Sequence, residues 1–213
     1  VNWTTLLLAG AVLLTIAGDG DPVAGFTSIL DTIERGRRLT HASYGPDGVV
    51  RVKPDELARQ AGTDLDSYAL ARMISSEHGR DDNITKAAIA HVAINYAARV
   101  GRSISGLLLR ANNAQHTGWF GTQRDIDEDS PRFNESDRYA STALDPYEGE
   151  LQIATAVLSG EIPDPTGGAI QFDAPPAFKS PEAAARTAAN RLAEGRVQVF
   201  PDGIDPDKLR FWA

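Results

Sequence analysis

The sequence predicts a mainly α protein with at most a small β element. Apolar residues recur at helical spacing in several segments, and each segment is bracketed by a capping residue at its start or a glycine just past its end. With 213 residues and a 42% hydrophobic content, the chain can bury a core of ordinary size and is not expected to be disordered.

Taken in order, the first element is an apolar helix over residues 1–18. Val1 to Gly18 carries no charged side chain, and Trp3 to Ala17 is almost continuously apolar. The run is shorter than the roughly 20 residues of a membrane helix, and no basic stretch precedes it as in a secretory signal. Three readings fit this pattern: a marginal membrane anchor, an uncleaved signal, or a helix packed against a partner protein. The arginines beyond it, Arg35, Arg37 and Arg38, favour a cytoplasmic position for the remainder of the chain if the run spans a membrane.

Gly18 to Pro22 breaks the apolar run, and residues 19–62, including Tyr44-Gly45-Pro46-Asp47-Gly48, read as a polar connector with one short helix near Phe26 to Glu34. From residue 63 the chain reads as one globular domain running to residue 213. Its first helix places Leu70, Met73 and Ile74 on one face, with Asp66 or Ser67 as N-cap and Gly79 just past the end. Ile84 to Val100 is apolar nearly all round and alanine-rich, the pattern of a central buried helix, and Asn83 can cap it. Ile104 to Arg110 is a short helix, and Ala111 to Tyr147 is a long polar passage. Glu150 to Ser159 is helical and closed by Gly160; Ser180-Pro181 opens a last alanine-rich helix that Gly195 ends. Val197, Val199, Phe200, Phe211 and Trp212 are expected to pin the tail to the core.

Composition narrows the function classes. A formal net charge of -8 argues against a nucleic-acid partner, because phosphate binding needs a concentrated basic surface. The absence of cysteine removes thiol chemistry and thiolate metal sites. The four histidines, His41, His78, His91 and His116, have no paired-ligand spacing, so neither a metal nor another cofactor is expected.

Two features point to chemistry. In Asp164-Pro165-Thr166-Gly167-Gly168-Ala169 a proline fixes the backbone and two glycines permit positive φ, which specifies a shaped turn with exposed backbone donors. Glu77 falls one helical step beyond Leu70, Met73 and Ile74, where the stripe asks for an apolar side chain. A carboxyl group facing apolar surroundings at the negative end of a helix dipole has its pKa raised, the condition for a general acid that cleaves a glycosidic bond. His91 and Asn95, one turn apart on the buried helix, need satisfied hydrogen bonds or a cleft to face.

The segments Tyr68-Ala69-Leu70-Ala71-Arg72-Met73-Ile74-Ser75-Ser76-Glu77, Ala87 to Asn95, Ala154 to Gly160 and Asp164 to Ala169 together resemble the cell-wall hydrolase family of spore-cortex lytic enzymes in order and spacing. The resemblance covers about Leu65 to Pro176. It implies a lysozyme-like helical fold for the domain 63–213 and cleavage of peptidoglycan glycan strands, typically by lytic transglycosylation at MurNAc-GlcNAc bonds. The family's catalytic glutamate falls on Glu77. Asn95, Asp164, Thr166, Gly167 and Gly168 fall on the cleft, with Thr166 and exposed backbone groups positioning the substrate. The passage 112–144 is an insertion relative to the family, and within it Gln123 and Tyr139, beside Trp119 and Phe120, can supply a sugar-binding wall. His78 and Arg80 after the glutamate, and Tyr96 after Asn95, depart from the family pattern.

The expected partner is therefore the peptidoglycan glycan strand, with a protein or a membrane for residues 1–18. The expected site of action is the bacterial cell wall or periplasm, reached by membrane anchoring or as part of a phage particle or tail. Two alternatives accompany this reading. One is a hydrolytic muramidase using Asp81, Asp82 or an acid of the insertion as its second carboxylate; the other is an inactive glycan-binding or structural component of a virion or secretion assembly.

Overall fold

A computed structural model describes residues 29–39, 54–78, 82–108 and 146–213. The apolar segment 1–18 and the insertion 112–144, with Gln123 and Tyr139, lie outside the described residues. Among the described residues the protein is mainly helical with one small sheet, as the sequence predicts, and no helix is long and apolar enough to cross a membrane.

The helices are α1 (Pro54–Gln60), α2 (Leu65–His78), α3 (Asn83–Arg99), α4 (Ile104–Leu108), α5 (Glu148–Leu158) and α6 (Pro181–Ala193). Helix α2 packs on α4 and α5, and α3 packs on α2 and α5. The shared core includes Leu70, Met73 and Ile74 from α2, Ile89 and Val92 from α3 and Ile153 from α5. These are the residues that helical periodicity places on the inner faces.

The caps differ from the sequence expectation. Asp64, not Asp66 or Ser67, opens α2: its carboxylate accepts from the Ser67 amide at 2.9 Å and from the Ser67 hydroxyl at 2.6 Å. Asp66 instead accepts from the Ser105 amide at 2.8 Å and ties α2 to the start of α4. At α3 the cap is Asp82, accepting from the Thr85 amide at 2.7 Å. Asn83 is drawn away because its side-chain amide donates to the carbonyls of Leu30 and Ile33, both at 2.8 Å.

The stretch read as a connector thus joins the domain. Residues 29–32 are helical, Leu30 is 1% exposed and belongs to the core, and residues 33–39 run as an arm along the start of α5. Leu39 donates to the Pro146 carbonyl, Glu148 to Arg37 and Gly149 to Arg35.

Strands β1 (Gln171–Asp173), β2 (Gln198–Val199) and β3 (Arg210–Trp212) form an antiparallel sheet in the order β1-β3-β2. Phe172 stands opposite Phe211, and Phe211 opposite Val199, so one face of the sheet carries these apolar side chains to the core. Gln171, Trp212 and Gln198 share the other face, where Arg191 of α6 approaches Asp173 at 3.8 Å. Phe211 and Trp212 pin the tail as expected. Val197 and Phe200 do not: each is 64% exposed, because they flank a two-residue strand at the edge of the sheet.

Candidate functional site

The site is organised by the turn that succeeds α5. Its centre is Asp164, whose two carboxylate oxygens take four donors. Oδ1 accepts from the Thr166 amide at 2.8 Å and the Thr166 hydroxyl at 2.6 Å; Oδ2 accepts from the Gly168 amide and from Asn95 Nδ2, both at 2.9 Å. Gly167 and Gly168 adopt φ of 57° and 87°, which lets the chain double back so that the Gly168 amide reaches the carboxylate. A side chain at Gly168 would meet nothing within 4 Å, so the glycine is required by conformation rather than by space.

Asn95 holds both ends of the turn. Its Nδ2 donates to Asp164 Oδ2 and, at 3.0 Å, to the Ala169 carbonyl. His91, one helical turn earlier and 7% exposed, has Nε2 3.0 Å from the Ile162 carbonyl and Nδ1 4.0 Å from Asp164 Oδ1. The Ile162 amide in turn donates to Ala156 of α5. The two polar residues on the alanine-rich face of α3 thereby fasten the turn to the helical core, which satisfies groups that burial would otherwise leave unpaired.

Burial works to raise the pKa of Asp164, and the donors from Thr166, Asn95 and Gly168 outweigh it and hold the carboxyl below the ordinary aspartate value. For His91, burial lowers the pKa; the Asp164 charge and the Ile162 carbonyl offset this in part, and the net value stays below that of a free imidazole. Asp164 is therefore a fixed anion and His91 a neutral ring near pH 7. Hydrogen bonding to Ile162 places the ring proton on Nε2.

The structure brings together Asn95, Asp164, Thr166, Gly167 and Gly168. Their roles within the turn differ from those the sequence suggests. Thr166 is 0% exposed and its hydroxyl proton goes to Asp164, so the turn offers the solvent the backbone around Gly167 and Gly168, both exposed, rather than the threonine hydroxyl. Such a turn is a rigid platform able to position a ligand; its carboxylate is occupied by internal donors.

Glu77 is the penultimate residue of α2, at the C-terminal end of the helix that carries Leu70, Met73 and Ile74. Its side chain lies outside the described residues, as do Asp81 and the insertion. Asp82 caps α3 and is already paired with the Thr85 amide. Among the described residues no group of three or more His, Asp or Glu side chains is arranged to hold a metal ion.

Sequence reading missed one buried carboxyl and one half-buried carboxyl. Glu150 is wholly buried, with Lys86 Nζ at 3.6 Å, Arg35 Nε at 3.8 Å and the Tyr147 amide at 2.8 Å. Its signal was a lysine within the apolar pattern of α3, which calls for a buried partner. Asp173, just beyond the turn on β1, has its pKa raised by burial against the lowering effects of Arg191, Trp212, Arg210 and Arg196. The chain matches no protein-family model, no curated protein and no solved structure.

Proposed function

We propose that this protein cleaves peptidoglycan glycan strands as a lytic transglycosylase, with a lysozyme-like helical domain, Glu77 as acid and base, and the turn 164–169 as a wall of the glycan cleft. The observation that supports this reading is the Asn95–Asp164 contact. It joins two segments 69 residues apart, both part of the family resemblance, into one braced turn with exposed backbone at Gly167 and Gly168.

In this mechanism Glu77 protonates the glycosidic oxygen as the bond to the muramyl anomeric carbon breaks. The resulting carboxylate removes the proton of the muramyl 6-hydroxyl, whose oxygen closes an anhydro ring on the same carbon. No water is consumed and a single carboxyl group suffices. The turn contributes position, not proton transfer, and delivery by a membrane anchor or a phage particle brings the domain to the wall.

Purified protein incubated with peptidoglycan, with mass analysis of the soluble fragments, tests the reading. Anhydromuramyl ends are expected, with Glu77→Gln slowing their release by about 10²- to 10⁴-fold. Reducing muramic acid ends would replace the transglycosylase with a hydrolase. Release no greater than that of Glu77→Gln would leave a binding protein.

A further inference from the structure

We propose that His91 is a positioning residue whose protonation state sets the geometry of the turn 164–169. The neutral ring donates from Nε2 to the Ile162 carbonyl and leaves an unprotonated Nδ1 4.0 Å from Asp164 Oδ1. That oxygen already accepts two short bonds from Thr166, at 2.8 and 2.6 Å. A proton bound at Nδ1 creates a third donor, positively charged, that competes for the same atom 4.0 Å away. A carboxylate oxygen has two well-placed lone pairs, so the new bond forms at the expense of one from Thr166. The turn then loosens at Thr166.

Few other charges bear on this switch. Asn95 on α3 is polar but does not titrate, and it holds the other oxygen of Asp164. The charge that opposes the effect of burial on the imidazole is that of Asp164. The elements packed around it also carry Arg72 on α2, Lys86 on α3, Glu150 on α5 and Asp173 on β1. Burial disfavours the charged ring in the closed turn, whereas an opened turn exposes it to water and restores its ordinary titration. The closed turn is thus fully stable above the free imidazole value of about 6.5 and is weakened as pH falls below it. Opening becomes about tenfold easier for each unit by which the closed-state value lies below the free one.

Amide hydrogen exchange and the imidazole proton resonance, tracked together by NMR from about pH 8 to pH 5, test this directly. The expected result is a loss of Thr166 amide protection as pH falls below about 6.5, with the Gly168 amide resonance moving in step with the His91 ring. In His91→Gln, which keeps a donor for the Ile162 carbonyl and cannot titrate, protection stays flat. The same pH dependence in His91→Gln overturns the proposal. So does a wild-type ring that titrates without a response at Thr166, or one that stays neutral while Thr166 protection stays flat, and these two outcomes need no variant. The consequence for catalysis rests on the function proposed above, but the exchange measurement does not. Absence of glycan cleavage and absence of the switch are separate outcomes.

Discussion

Asp164 concentrates four donors on one carboxylate that is only partly exposed, so its removal is felt by every group it holds. In Asp164→Asn one oxygen becomes an amide that cannot accept, and two former donors lose their acceptor. With hydrogen bonds to charged groups contributing about 1.5–3 kcal/mol each, the variant is expected to lose about 3 kcal/mol at pH 7 in urea denaturation. The pH dependence has a defined sign. The folded-state value lies below the ordinary 3.8, so the carboxylate's contribution is complete above that value and is lost as pH falls through the lower, folded one. The gap between wild type and Asp164→Asn therefore narrows below about pH 4; a gap of the same size at pH 7 and pH 3 would show that the charge is not what stabilises the turn. The shape of this turn was legible in the sequence, because proline and paired glycines restrict and permit backbone angles locally. The bond from Asn95 to Asp164 was not, since it comes from a helix 69 residues earlier in the chain.

At the scale of elements, the arm 33–39 and the start of α5 depend on a close approach at Gly149. A Cβ there would stand 2.3 Å from the Glu34 carbonyl oxygen and 3.0 Å from Arg35 Cα. Alanine would normally favour the helix by about 1 kcal/mol. Here the contact is with backbone, which cannot rotate aside as a side chain can, so the arm must move. Its displacement disturbs the Gly149–Arg35 and Glu148–Arg37 backbone bonds and adds an overpacking cost of about 1–3 kcal/mol. Gly149→Ala is therefore expected to be less stable by about 1–2 kcal/mol, despite the better helix former, and to be cut faster by trypsin after Arg35, Arg37 or Arg38. Greater stability with an unchanged cleavage rate would mean that the arm does not bear on α5. The helices themselves were readable because their apolar residues repeat at 3.6-residue spacing. Their caps were less so: at Asp64 and Asp82, neighbouring polar residues compete for the role, and contacts with Ser105 and Leu30 decide between them. The arm has no periodicity, and its pairing with residues more than 100 positions away leaves no local signature.

Across the whole molecule, the core ignores the division into connector and domain that composition suggested. Leu30 from the first described segment, Ile89 and Ile153 from the central helices and Phe211 from the middle strand belong to one continuous apolar cluster. A shared core couples the stability of its parts, because opening any one of them exposes apolar surface on the others. Leu30→Ala removes a side chain that is 1% exposed and is expected to cost about 2–5 kcal/mol. Set against total stabilities of about 5–15 kcal/mol, that is a large fraction for a residue in a stretch that reads as linker. The destabilisation should register equally in helix content, measured by far-ultraviolet circular dichroism, and in the environment of the buried Trp212, measured by fluorescence after Trp3 and Trp119 are replaced with phenylalanine. Both transitions are expected to shift to lower urea by the same amount and to remain coincident. If Leu30→Ala shifts the helical signal while Trp212 unfolds at its original midpoint, the sheet is an independent unit; if neither moves, the first segment lies on the core without stabilising it.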